Sequence, residues 1–341
     1  MKELTLSIDV MGGDSGPSVT IPAAIQACKI YPNLILYLCG NEAEIIPHIR
    51  YVEGYVRRRM RVVHCPDVIR MDENPSAAIK KKSETSMKKT LELVKEGTTQ
   101  ACVSAGNTGA LFAMSYFMLK PLEGVKRPAL VSSLPKGRNK RVFLLDLGAN
   151  VDSDANTLCQ FALMGAVVAE EVDGMARPKI ALMNVGVEQN KGSAVIKATD
   201  ELLRQTDLNY VGYVEGDGLF NADVDVIVTD GFVGNVVLKA SEGLAKFLIR
   251  EAKRISEKNF GTKILAAFAL PLLKKIYNKV NPDQYNGASL LGLRGIVVKS
   301  HGNASADAFL YAIKEAIREV DRQVPEKIEK RLNQVLLHRT E

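Results

Sequence analysis

The residues able to do chemistry lie where apolar runs end. The run at 225–228 stops at Thr229-Asp230-Gly231-Phe232-Val233-Gly234-Asn235, and apolar residues at helical spacing follow at Val237, Leu244, Phe247 and Leu248. Such a turn ends at a helix N-terminus, where free N–H groups and the positive end of the dipole favour an anion. Gly231 and Gly234 would let the backbone approach a ligand. Asp230 and Asn235 add an acid and an amide at the same edge. An ordinary turn at Asp230-Gly231, with Asn235 as a cap, accounts for the same residues.

Comparable clusters recur along the chain. Asp9, Gly12-Gly13 and Asp14 close the first apolar run, and Ser104-Ala105-Gly106-Asn107 closes another. Asp146-Leu147-Gly148-Ala149-Asn150-Val151-Asp152 holds two carboxylates and an amide. The stretch 185–192 sets Lys191 in a polar turn before a helix. His301, in Lys299-Ser300-His301-Gly302-Asn303, is the one histidine of four in a polar, glycine-flanked turn after a strand. The first glycine-rich turn is not GxGxxG, which argues against a nicotinamide cofactor.

The elements that must position these residues follow from periodicity. Strand-like runs stand at 4–10, 35–38, 61–64, 101–104, 129–134, 142–145, 179–184, 210–214, 225–228 and 295–300. Most lead through a polar turn into a helical pattern. Repeated strand–turn–helix units predict an α/β fold, a three-layer α/β/α arrangement with a mostly parallel sheet. Ligands in such sheets bind beyond the carboxyl ends of the strands. The turns holding Asp14, Asn107, Asn150, Lys191 and Asp230 are therefore expected on one shared edge. A single helical pattern is expected over 75–97, with a basic cluster at 80–82 that is either a solvated face or a contact for phosphate or an acidic protein.

Composition narrows the function classes. The chain has 341 residues, 46% of them hydrophobic, and a net charge of +6, which suits an acidic partner, a phosphate substrate or an anionic surface. Its five cysteines show no CxxC pair and read as reduced thiols, with neither a disulfide frame nor a metal site expected. No apolar run approaches the ~20 residues needed to span a bilayer, and no signal peptide is evident. The basic link at 136–141 has no interleaved aromatic residues, so no nucleic-acid partner is expected.

From 240 to 280 the pattern becomes a basic amphipathic helical hairpin, within what reads as one intertwined two-lobed unit spanning 1–341. Leu265, Phe268, Leu272, Leu273 and Ile276 share a face of its second helix, and lysines outnumber acids throughout. Such a hairpin suits a membrane surface or a dimer contact.

Taken in order, IDVMGGD (8–14), VSAGNTGAL (103–111), DLGANVD (146–152), NVGVEQNKG (184–192), VTDGFVGNVVLK (228–239), NPDQYNGASLLGLRG (281–295) and KSHGNA (299–304) resemble the PlsX family, the phosphate acyltransferases of bacterial phospholipid synthesis. The resemblance implies a fold similar to the phosphotransacetylases and the isocitrate and isopropylmalate dehydrogenases. It implies transfer of a fatty acyl group from acyl carrier protein to inorganic phosphate, without cofactor or metal. It also implies a homodimer in the cytoplasm, at the inner face of an anionic membrane, feeding a glycerol-3-phosphate acyltransferase. The catalytic residues implied are Lys191, Asp230, Asn235 and His301, with Asn107, Gly231, Gly234 and Asp14 binding substrate. Phosphate is itself the nucleophile, so what is needed is a cradle that holds an anion against a thioester carbonyl and stabilises the oxyanion. Three other readings compete: a phosphotransacetylase-like enzyme using acyl-coenzyme A, a related dehydrogenase, and a non-catalytic membrane scaffold.

Overall fold

The apolar runs pair into one sheet whose central strands, such as Ala101–Ser104 and Ile296–Lys299, bury both faces, and continuous Val/Ile/Leu runs are stable only with cover on either side. The structure is a computed structural model and describes residues 3–80, 84–137, 140–256, 269 and 282–337. Eleven strands are described: β1 (Leu4–Asp9), β2 (Leu34–Gly40), β3 (Met60–His64), β4 (Ala101–Ser104), β5 (Ala129–Lys136), β6 (Lys140–Leu145), β7 (Ile180–Met183), β8 (Tyr210–Val214), β9 (Val226–Val228), β10 (Ala288–Leu291) and β11 (Ile296–Lys299). Their order across the sheet is β3-β2-β1-β4-β11-β10-β5-β6-β9-β7-β8.

Helices cover both faces. The register carries one face across the sheet from Ile8 and Val103 through Val298, Ser289 and Val131 to Leu145 and Val228. That face packs under α1 (Pro17–Ile30), α7 (Ala155–Asp173), α10 (Ala306–Arg322) and α11 (Val324–Leu337). The alternate residues, among them Cys102, Val297, Leu290, Leu144 and Ile227, pack under α4 (Pro75–Lys80), α5 (Ser86–Lys95) and α6 (Thr108–Leu119). The layers are thus α/β/α, as the periodicity predicts. The helical pattern over 75–97 divides in two, because Thr85 forms a bridge with Asp67 and caps α5 by accepting from the Lys88 N–H. The basic cluster is only partly described, residues 81–83 lying outside the described set.

One expectation is corrected by strand direction. β11 pairs antiparallel with β10, β10 with β5, and β5 with β6. Three reversals leave β6, β9, β7 and β8 running opposite to β1, β4 and β11. The turns with Asp14 and Asn107 therefore lie on one edge of the sheet, here the upper. The turns with Asn150, Lys191 and Asp230 lie on the lower edge. Helix α9 (Gly231–Ser256) connects the two, rising from the lower edge across the α5/α6 face. It also starts earlier than its glycines suggest. Asp230 Oδ1 accepts the Val233 N–H at 2.8 Å, so Asp230 is the cap and Asn235 stands inside the helix. Of the hairpin, the helix runs to Ser256. The stretches 257–268 and 270–281, and with them Leu265, Phe268, Leu272, Leu273 and Ile276, lie outside the described residues.

Candidate functional site

On the upper edge, register sets Asp9, Ser104 and Lys299 side by side at the ends of three neighbouring strands. All three are buried. The Ser104 hydroxyl donates to Asp9 Oδ2 at 2.6 Å. Burial pushes the Asp9 carboxyl up, against the Ser104 and Ser86 hydroxyls and the Lys299 ammonium. Lys299 Nζ donates to the Ala105 carbonyl at 3.3 Å and to the Ser300 carbonyl. Burial and the neighbouring Lys239 bring this ammonium down to about 8, although Asp9 and Asp14 oppose the change. Read from sequence, Lys299 is only the end of a strand. A lysine closing a fully apolar run beside a polar turn is the signal that marks it.

The turns above this row interlock. Gly13 has φ 88°, and a Cβ there would stand 2.8 Å from the Gly302 carbonyl oxygen. The Asp14 N–H donates to that same carbonyl at 2.8 Å, while the Asp14 side chain stays exposed. The glycine pair thus serves contact between turns. Asn107 is likewise committed. Its Oδ1 accepts the Ala110 N–H at 3.0 Å and caps α6, and its Nδ2 donates to the carbonyls of Met71 and Glu73, each at 2.9 Å.

His301 sits over the row. Its N–H donates to Asn286 Oδ1 at 3.0 Å, and Asn286 Nδ2 donates to the Ser300 hydroxyl at 2.8 Å, so the turn is held from behind. Nε2 lies 3.3 Å from Glu242 Oε1, near enough for an ion pair but not aligned for a hydrogen bond. Glu242 Oε2 lies 3.1 Å from Lys239 Nζ. Burial lowers the His301 pKa, Glu242 opposes that, and Lys239, Lys299 and Lys246 add to it. The imidazole is therefore neutral near pH 7, with 37% of the side chain open to solvent. Asn235, Lys239, Glu242 and Lys246 follow at intervals of four, three and four, which places them on one face of α9. That spacing is the signal by which Lys239 and Glu242 are legible as site residues.

On the lower edge the organiser is Asp146. Its buried carboxylate accepts from the N–H groups of Leu130, Ala149 and Asn150, at 2.9, 3.1 and 2.6 Å, and from Asn150 Nδ2 at 2.9 Å. The first turn of α9 rests on the turn so fixed. The Gly231 N–H donates to the Asn150 carbonyl at 2.8 Å. A Cβ on Gly231 would run into that carbonyl, and one on Gly234 into the carbonyl of Asp146. The two glycines let helix and turn touch; the close approach read from them is to the protein's own backbone. Asn235 emerges beside Gly148, exposed, roughly 10 Å of helix rise from Glu242. Lys191 lies in the turn after β7, its carbonyl 3.4 Å from Asn184 Nδ2 and its side chain exposed.

The structure thus gathers His301, Lys299, Lys239 and Glu242 into one cluster, with Asp14 and Asn107 on the same edge. It gathers Asp230, Gly231, Gly234 and Asn235 on the opening turns of α9. Lys191 stands on a separate turn of the lower edge. Among the described residues, no group of three or more His, Cys, Asp or Glu side chains is arranged to hold a metal ion. All five cysteines are buried, and burial pushes the Cys102 thiol far above its ordinary range. A thiol so held is a poor nucleophile. The cluster can hold a dianion among ammonium groups and offer a neutral imidazole to a proton.

If His301 takes that proton, activity should fall as pH drops through a pKa below the ordinary histidine value. Glu242→Gln removes the charge that favours imidazolium, so the acid limb should move to lower pH. A pH–rate profile that does not move on Glu242→Gln contradicts this pairing.

Comparison with known proteins places the chain in a family. A family model described as "Fatty acid synthesis protein" matches residues 4–327. The chain is 52% identical over 341 residues, covering 100% of both chains, to a protein of Pseudoalteromonas atlantica named phosphate acyltransferase. It is 51% identical over 338 residues, 99% of each chain, to one of the same name from Shewanella amazonensis. In three dimensions it is similar to a phosphotransacetylase from Streptococcus pyogenes, with TM-score 0.62, 16% identity and coverage of 95% and 94% of the two chains.

Proposed function

Since the chain belongs to the phosphate acyltransferase family and is an acyltransferase of fatty acid synthesis, we propose that it moves a long-chain fatty acyl group from the thioester of acyl carrier protein to inorganic phosphate, releasing acyl phosphate for phosphatidic acid synthesis. The observation that carries this reading is the cluster of Lys299, Lys239 and neutral His301 gathered by α9. Phosphate is the anion such a cluster suits, and the reaction needs no enzyme nucleophile. A phosphate oxygen attacks the thioester carbonyl, the C–S bond breaks, and the thiolate leaves with a proton. Lys299 and Lys239 balance the phosphate charge. Lys191 and Asn235, which stand on the lower edge apart from this cluster, supply a further contact to phosphate or the oxyanion. His301, whose basicity the nearby Glu242 carboxylate supports, accepts the proton of the attacking phosphate. Asp230 acts through the helix it caps, and Gly231 and Gly234 by seating that helix. Asn107 acts by fixing the turn beside the site, and Asp14 by tuning Lys299.

The donor separates this reading from an enzyme using acyl-coenzyme A. Purified protein given both thioesters at equal concentration should consume acyl carrier protein first. Preference for coenzyme A would move the assignment to the phosphotransacetylase type, and absence of turnover with either would leave the scaffold reading.

The same proposal includes a homodimer and a peripheral membrane contact through the 240–280 hairpin. The supporting observation is the run of exposed apolar side chains on α9, with Phe232 at 63%, Leu244 at 59%, Leu248 at 57% and Ile255 at 59%. No helix among the described residues is long and apolar enough to cross a membrane. Leu244→Glu with Leu248→Glu should yield monomers by sedimentation velocity. If the double variant remains dimeric but no longer floats with anionic liposomes, this part of α9 is membrane-facing and the dimer contact lies elsewhere.

A further inference from the structure

On the α7/α10 face, the face of the sheet opposite α9, a cavity of about 20 Å³ lies between β5, β6, α10 and the segment 284–287. About 10–15 Å³ suffices for one water-sized occupant. Glu319 lines it, only 2% exposed. Its Oε2 accepts the Ser289 hydroxyl at 2.9 Å, and its Oε1 is buried without a hydrogen-bond partner among the described residues. Leaving a buried carboxylate oxygen unmatched is costly, so the site calls for an occupant.

Charge indicates which kind. Facing Glu319 are Glu315 from α10, Arg318 from α10, Arg141 from β6 and Tyr285 from the preceding segment. Arg141 forks onto Asp173, with Nε 2.7 and 2.8 Å from the two carboxylate oxygens, and stacks on Phe143. Arg318 Nη1 takes Glu315 Oε2 at 3.0 Å. Two guanidinium groups thus stand among three carboxyl groups, Asp173, Glu315 and Glu319, and burial raises the Tyr285 hydroxyl pKa and keeps it neutral. With Glu319 ionised, the unmatched charge is one. We infer that this cavity is a site for a single small monovalent cation, potassium or ammonium, held by Glu319 Oε1 among the Ser133 hydroxyl and neighbouring carbonyl oxygens. A divalent ion would overcharge it, and an organic cation would not enter.

A proton competes for the same oxygen. Burial, with Glu315 adding to it, pushes Glu319 up to about 8, so without a cation the group is neutral at pH 7. A raised carboxyl pKa means stability is full below the ordinary value of 4.5 and is lost as pH rises to about 8. Cation binding displaces the proton. Affinity should therefore rise about tenfold per pH unit below 8 and then level off.

The test is thermal unfolding of the full-length protein from pH 6 to 9 at constant ionic strength, in potassium, ammonium or N-methylglucamine chloride. Potassium or ammonium should raise Tm over N-methylglucamine at pH 8.5, with the difference fading toward pH 6. Proton release on adding potassium at pH 7, followed with the unmodified protein, should accompany it. Glu319→Gln should abolish both effects and raise Tm in N-methylglucamine at pH 8.5. An effect of ammonium alone would mark the cation as a hydrogen-bond donor to Glu319, and an effect of both would mark it as coordinated by oxygen. Equal Tm in all three salts with no proton release overturns the site. So does a cation effect that survives unchanged in Glu319→Gln.

Discussion

Lys191→Ala and Asn235→Ala are each expected to leave a folded protein whose turnover is reduced roughly a hundredfold or more. Removing one donor to the developing charge in an acyl transfer costs about 2–4 kcal/mol of transition-state stabilisation. Neither side chain holds the fold. Lys191 is exposed in a turn fastened by its backbone, and Asn235 is exposed on the second turn of α9. Exposed substitutions of this kind move stability by about 0.5 kcal/mol or less, so thermal unfolding should stay near wild type. The two should separate kinetically. Loss of an ammonium that binds ground-state phosphate raises the KM for phosphate. Loss of an amide that meets only the oxyanion lowers kcat instead. Normal turnover in both folded variants would remove both residues from the site.

Gly234→Ala is expected to fail in a different way, by lifting α9 off the turn that seats it. The added methyl would run into the carbonyl of Asp146. That carbonyl cannot retreat, because four hydrogen bonds to the Asp146 carboxylate fix the turn it belongs to. The gain in helix propensity, about 1 kcal/mol, is too small to offset a clash between two backbones, which we set at about 3 kcal/mol or more. Tm should fall by several degrees. Activity should fall with it, since Asn235, Lys239 and Glu242 ride on the displaced helix. Gly243→Ala on the same helix is the control. A Cβ there meets open space, so the variant should be as stable as wild type or slightly more so. Equal unfolding temperatures for Gly234→Ala and Gly243→Ala would mean that the helix is not seated as described.

The contrast between these residues shows how far the sequence could be read. Each strand–turn–helix unit is local, so the layers and most element boundaries follow from periodicity and caps. The direction of the lower strands does not. It depends on β10, formed by residues 288–291 from near the end of the chain and inserted beside β5. β10 runs against both β11 and β5, and the further reversal from β5 to β6 leaves the turns of Asp14 and Asp230 on opposite edges. The glycines of α9 were legible as points of close approach, but their partner, the 146–150 turn, lies some eighty residues earlier in the chain. Lys299 and Glu242 each carry a local signal, the lysine that closes an apolar run and the spacing along α9, but no local pattern encodes that β11 and α9 bring them together. The unmatched oxygen of Glu319 is likewise invisible in a helix that reads as simply amphipathic.

The central claim is that phosphate itself takes the acyl group from the thioester. Its most direct test supplies purified protein with long-chain acyl carrier protein and phosphate carrying the heavy isotope of oxygen at every position, followed by mass spectrometry of the product. Acyl phosphate that retains every labelled oxygen is expected, formed at a rate that rises with phosphate and then saturates. Unlabelled free fatty acid, released at the same rate with and without phosphate, would contradict it.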